Sequence, residues 1–157
     1  MLGHAKAFLL SLGLTTAVSA LGNAVVYNNC NFPVTVWSVG SNVSPGKTLQ
    51  RGGSYSEQFT RDPKTGGRAI KITRGEFGLF NNEPQTVFAY TLNDQTIWYD
   101  LSDVFGNAFQ GSKIVVKSVD KACPAIIWPN GVPMGPGVSE VKNCGVGADV
   151  KLSLCAN

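Results

Sequence analysis

Four cysteines and one histidine are the residues best equipped for chemistry. Cys30 sits alone at the head of the run NNCNFPVTVW, while Cys123, Cys144 and Cys155 lie more than ninety residues further on. Such a set can hold a metal or form disulfides. A zinc site built on cysteine usually shows CxxC pairs or nearby imidazoles. Neither occurs: no CxxC pair is present, and His4 is the only histidine.

His4 belongs to a stretch that reads as a leader. MLGHAKAFLLSLGLTTAVSA has a short basic start with Lys6, an apolar run from Ala7 to Leu14 and small residues at Val18 and Ala20. This is a secretory signal pattern, too short to span a bilayer as a helix. Cleavage is expected after Ala20, with Ala24 as the alternative. The remaining 137 residues (157 less 20) suffice for one domain with its own core. Without His4 there is no Ser–His or Cys–His pair and no imidazole ligand, which excludes much hydrolase chemistry. No metal or other cofactor is expected. In an oxidising compartment the four cysteines read as two disulfides, and three connectivities are open. The pairing favoured is Cys30–Cys155, stapling the chain ends, with Cys123–Cys144.

Charge says less. The net charge is +3, or +2 once Lys6 leaves with the leader. That is too weak to imply nucleic acid as a partner. Basic residues gather only in RDPKTGGRAIKITR, residues 61–74. A stripe there could meet anionic polymer, but a solvated hairpin guarding an edge strand is the simpler expectation.

The elements that must position these residues read as strands. Short runs rich in Val, Ile, Thr and aromatic residues alternate with Gly, Pro, Asn, Asp and Ser clusters. Eight strands are predicted, at 24–29, 33–39, 54–59, 68–74, 86–92, 96–102, 113–119 and 149–154. Their spacing is that of an antiparallel sandwich or barrel. Apolar residues on both faces of 33–39 predict a strand covered on both sides. Asn93-Asp94 marks a hairpin turn. The stretch WPNGVPMGPGVS, residues 128–139, is too rich in proline and glycine for regular structure. A Cys123–Cys144 bridge would close it as a constrained loop, with Trp128 and Met134 as candidate exposed contacts. The Asn42-Val43-Ser44 sequon precedes Pro45, which is expected to hinder glycosylation of Asn42.

VVYNNCNFPVTVWSV, LQRGGSYSEQF, TGGRAIKITRGEF and AYTLNDQTIWYDLSDVFGNAF, in that order, resemble successive segments of thaumatin-like (osmotin-like) proteins over about residues 24–119. The short chain and its four cysteines look most like the Blastomyces yeast-phase-specific protein family of secreted fungal proteins. The resemblance implies an all-β, flattened jelly-roll sandwich of antiparallel strands with its terminal cysteines joined. It also implies a secreted or wall-associated fungal protein.

Many thaumatin-like proteins carry an acidic cleft of one arginine, one glutamate and three aspartates, associated with β-glucan binding and sometimes hydrolysis. By the resemblance, Arg68 takes the arginine position and Asp100 one aspartate position. Ala89 replaces the glutamate and Phe105 a second aspartate, with Asp103 displaced by two residues. Glycoside hydrolysis normally needs two carboxyl groups at a set separation. Asp100 and Asp103, three apart on an extended strand, should face opposite ways unless the chain turns at Ser102. Arg68 and Asp100 are therefore read as a structural ion pair.

The aromatics complete the expectation. Trp37 and Tyr27 are assigned to the core, and one of Trp98 and Tyr99 should lie outside. The reading is a single non-catalytic domain, residues 21–157, binding polysaccharide or a surface protein through Arg68, Asp100, Trp98 and Trp128. The alternatives are a weak β-1,3-glucanase using Asp100 with Asp103 or Glu76, and a secreted effector or membrane-active antifungal protein.

Overall fold

The computed structural model describes residues 20–157; the expected leader lies, but for Ala20, outside them. The elements are β1 (Asn23–Asn28), β2 (Val34–Val39), β3 (Lys47–Leu49), β4 (Ser54–Gln58), β5 (Arg68–Thr73), β6 (Gln85–Asn93), β7 (Thr96–Phe105), β8 (Ile114–Ser118), β9 (Ile126–Trp128), β10 (Ser139–Gly145) and β11 (Val150–Leu154). They form two sheets, one ordered β4-β1-β11-β8-β9 and the other β10-β7-β6-β5-β2-β3. Among the described residues there is no α-helix, and none that could cross a membrane.

Alternation builds the core. Ala24 and Val26 of β1, Val150, Leu152 and Leu154 of β11, and Ile114 and Val116 of β8 are buried from one sheet. Val34 and Val36, Ile70 and Ile72, Phe88 and Tyr90, and Ile97, Tyr99 and Leu101 meet them from the other. Alternate residues of these strands meet in the core, as a two-layer sandwich requires, while β2 and the first half of β6 are buried on both faces.

One pairing departs from the antiparallel rule. β1 and β11 run parallel, with Asn28 opposite Leu154. Their C-terminal ends therefore lie side by side, and the chain just beyond them carries Cys30 and Cys155. These are bonded, with Cα atoms 4.9 Å apart. Cys123, in the β8–β9 connection, is bonded to Cys144 of β10 and so ties one sheet's connection to the other sheet's edge. All four cysteines are used, as expected.

Several expectations need correction. β5 lies between β6 and β2, so the basic stretch guards no edge. Tyr27 is on the outer face of β1, half-buried, with Lys151 over its ring. Trp37 is buried, but on the outer face of its sheet, where Phe80 from the β5–β6 connection meets it edge-on. Gly46 makes that cover possible from the other side, since a Cβ there would stand 2.6 Å from Trp37 Nε1. The β6–β7 hairpin turns at Asp94, whose φ is +52°, a conformation Asp tolerates better than most residues.

Candidate functional site

Arg68 and Asp100 do not form a pair. Tyr90 stands opposite both Arg68 and Tyr99, whereas Ala89 stands opposite both Ala69 and Asp100. One residue of register puts the two side chains on opposite faces of the six-stranded sheet.

Arg68 points inward with Ile70 and Ile72 and closes one end of the sandwich. Its Nε donates to Ser38 Oγ at 3.0 Å and lies 3.5 Å from Glu57 Oε1. Glu57, on β4 of the other sheet, also accepts from Tyr55 OH at 2.5 Å and Tyr90 OH at 2.7 Å. Burial, reinforced by the bond to Glu57, pushes the Tyr55 hydroxyl up to about 12 and the Tyr90 hydroxyl up as well. The carboxylate of Asp62, 3.8 Å from the guanidinium, accepts from the backbone N–H groups of Thr65, Lys64 and Ser41. Arg68 is thus the centre of a polar lock between the sheets.

Asp100 projects from the outer face. Its neighbours in register are Ala89 and Val141, and Ser139 Oγ donates to Oδ2. Burial pushes its carboxyl up, and the Ser139 bond partly opposes that. Alternation through Ser102 carries Asp103 to the other face, where burial likewise raises its carboxyl. The β6–β7 register shifts beyond Ser102, opposite Gln85–Val87, so the chain does bend there. Asp100 and Asp103 share no hydrogen bond despite the bend. Glu76 is exposed in the β5–β6 connection.

Trp98 shares the outer face with Asp100, at 44% exposure, while Tyr99 turns inward and donates to the Pro124 carbonyl. Thr91 and Asn143 flank Trp98 in register. Across its register partner Thr91 lies a shallow depression of about 350 Å³, lined by Val39, Gly67, Arg68, Ala69, Ala89 and Thr91, so Arg68 reaches its end from the inner face. Its form follows from small side chains. Ala69 and Ala89 leave the floor low, and Gly67 approaches Thr91 so closely that a Cβ would meet the Tyr90 carbonyl oxygen at 2.8 Å. Phe105 lies on this side too, with Lys71 Nζ 4.1 Å from its ring centroid. A hydrocarbon ring thus occupies the position where the resemblance would have a carboxylate. The exposed rings of Phe77 and Phe80 have no place in the sequence-based expectation. The aromatic spacing in GEFGLFNNE, between two strand runs, was the available signal.

Trp128 does not belong to this surface. It ends β9, opposite Ile114, and is fully buried. Its Nε1 donates to Glu140 Oε2 at 3.3 Å, satisfying its polar atom. The loop after it is irregular, as expected, and Met134 is exposed, but Trp128 pins that loop to the core. Among the described residues no cluster of three or more His, Cys, Asp or Glu could hold a metal.

A two-sheet sandwich of this topology is the thaumatin-like fold. The protein elicitor MoHrip2 from Magnaporthe oryzae matches it with a TM-score of 0.72 at 24% identity, over 86% of this chain and 99% of that one. The thaumatin-like xylanase inhibitor TLXI matches with a TM-score of 0.61 at 15% identity, over 85% and 99%. The particular family follows from sequence: residues 11–156 match the Blastomyces yeast-phase-specific protein family, and the chain belongs to it. An antigenic thaumatin-like protein of Arthroderma benhamiae is 30% identical over 113 residues, 71% of this chain and 56% of that protein. The secreted thaumatin-like protein calA of Emericella nidulans is 30% identical over 102 residues, 65% of this chain and 56% of that protein. The chain therefore spans little more than half the length of the curated relatives it matches.

Proposed function

We propose that this is a secreted, non-catalytic protein that binds cell-wall polysaccharide on the outer face of the six-stranded sheet. The observation that carries this reading is the half-exposed ring of Trp98 beside an alanine-floored trough. A sugar ring can stack on the indole while its hydroxyls meet Asp100, Ser139 and Asn143. Such sites combine apolar contact area with a few placed polar groups. The carboxylates support a non-catalytic reading. Asp100 and Asp103 lie on opposite faces of the sheet, and one carboxyl group cannot serve as both acid and base or nucleophile. Secretion is supported by the leader pattern and two disulfides, and by relatives named as secreted or antigenic.

The test is co-sedimentation of the oxidised protein with insoluble β-1,3-glucan, chitin and cellulose, with released sugar assayed in the same tubes. Selective pelleting without release, reduced on the order of tenfold in affinity by Trp98→Ala, is expected; that factor corresponds to about 1.4 kcal/mol. Pelleting that Trp98→Ala leaves unchanged would remove the site. Sugar release abolished by Asp100→Asn would replace this reading with the glucanase one.

A further inference from the structure

The outer face of the five-stranded sheet carries a second depression, of about 990 Å³, floored in part by Val25, Val115 and Ile127. Lys117, Lys121 and Lys151 line it and are exposed. Lys117 and Lys151 stand directly opposite each other on β8 and β11. Like charges in that position are destabilising. The other register neighbour of Lys151 is Val25, none of the three lysines is in an ion pair among the described residues, and the Tyr27 ring beneath Lys151 offsets the repulsion only in part.

Asp120 and Asp149 also line the depression, but neither is ion-paired with these lysines. Asp149 Oδ1 accepts from the backbone N–H and side-chain amide of Asn23, and Asp120 Oδ1 accepts from the Ala122 N–H. Lys113, at the rim, donates to the Asn157 carbonyl oxygen. Lys117 and Lys151 are not edge guards either, because β8 and β11 are interior strands. Opposed ammonium groups over an apolar floor, outnumbering the carboxylates beside them, complement a ligand with repeated negative charge.

We propose that this face binds an acidic polysaccharide, carboxylate groups along the polymer neutralising Lys117, Lys121 and Lys151 while sugar faces rest on Val25, Val115 and Ile127. The depression lacks the arginines and stacked aromatics on which single-stranded nucleic acid is usually held. The site lies on the other sheet from Trp98 and does not depend on it.

The experiment is titration of the oxidised full chain with polygalacturonate, using neutral dextran, phosphatidylserine vesicles and DNA as comparison probes. Polygalacturonate should bind at about 0.05 M salt and weaken at about 0.5 M, as screening shortens the reach of the lysines. Dextran should not bind. The K117A/K151A double variant should lose on the order of tenfold in affinity, and K117R/K151R and Trp98→Ala should retain it. Thermal unfolding of the double alanine variant should be unchanged or slightly raised, since a like-charge pair has been removed. The proposal is overturned by absent polygalacturonate binding, by binding indifferent to the double alanine variant or abolished by Trp98→Ala, or by tighter binding to vesicles or DNA.

Discussion

Asp62 and Trp128 illustrate how much of this molecule rests on single side chains the function does not use directly. The carboxyl of Asp62 is held well below the usual carboxylate range, first by the Thr65 and Ser41 backbone N–H groups, with smaller help from Lys64 and the Ser41 hydroxyl. A depressed folded value means the contribution is present above the unfolded value and is lost as pH falls through the folded one. Acid titration of stability should therefore show a downward limb below the ordinary aspartate range, flattened in Asp62→Asn; an unchanged limb would show that other carboxylates set it. The two tryptophans separate stability from binding. Trp128→Ala removes a fully buried ring and should cost about 3–5 kcal/mol in chemical denaturation. Trp98→Ala, at a surface position, should stay within about 0.5 kcal/mol of the parent. A stability loss at Trp98 as large as that at Trp128 would mean its ring is structural.

At the scale of elements, the parallel β1–β11 pair depends on the bond that joins its two ends. Loss of the Cys30–Cys155 bridge by paired serine substitution should cost about 4–5 kcal/mol, and loss of Cys123–Cys144 about 3, because the first closes the far longer loop. Equal losses would show that native-state contacts, rather than loop closure, govern both. Each of the eight strands predicted from sequence is found within one residue at either end, except that β7 runs three residues further, to Phe105. Most of those strands alternate, because one face of each packs on the core, and β2 and the first half of β6, buried on both faces, still read as runs of β-branched and aromatic residues. The three strands not foreseen lack that signal for physical reasons. β3 and β9 have three residues each, too few to show a period. β10 is an edge strand of the pattern SEVKNCG, with little to bury. The misplacement of Arg68 was avoidable: it shares parity with Ile70 and Ile72, while Ala89, and hence Asp100, belongs to the other face. The burial of Trp128 was not readable locally, since β9 is defined by its pairing with β8.

For the whole molecule, the sandwich presents two open sheet faces of different chemistry, turned away from each other across one core. The six-stranded side offers exposed rings and a small-residue trough, and the five-stranded side offers lysines over aliphatic side chains. Stacking on neutral sugar depends on contact area and changes little with salt, whereas the lysine face is screened as ionic strength rises. Because the faces are opposed, occupation of one leaves the other free, so the protein should act as a bridge between a neutral and an acidic polymer. Protein preloaded on insoluble β-1,3-glucan should therefore retain soluble polygalacturonate in the pellet, and about 0.5 M salt should release the acidic polymer while leaving the protein bound. K117A/K151A should pellet with glucan yet fail to retain polygalacturonate, and Trp98→Ala should bind polygalacturonate in solution yet fail to pellet. Competition between the two polymers for one molecule, with either displacing the other, would mean that a single face serves both and that the division of labour between the sheets is wrong.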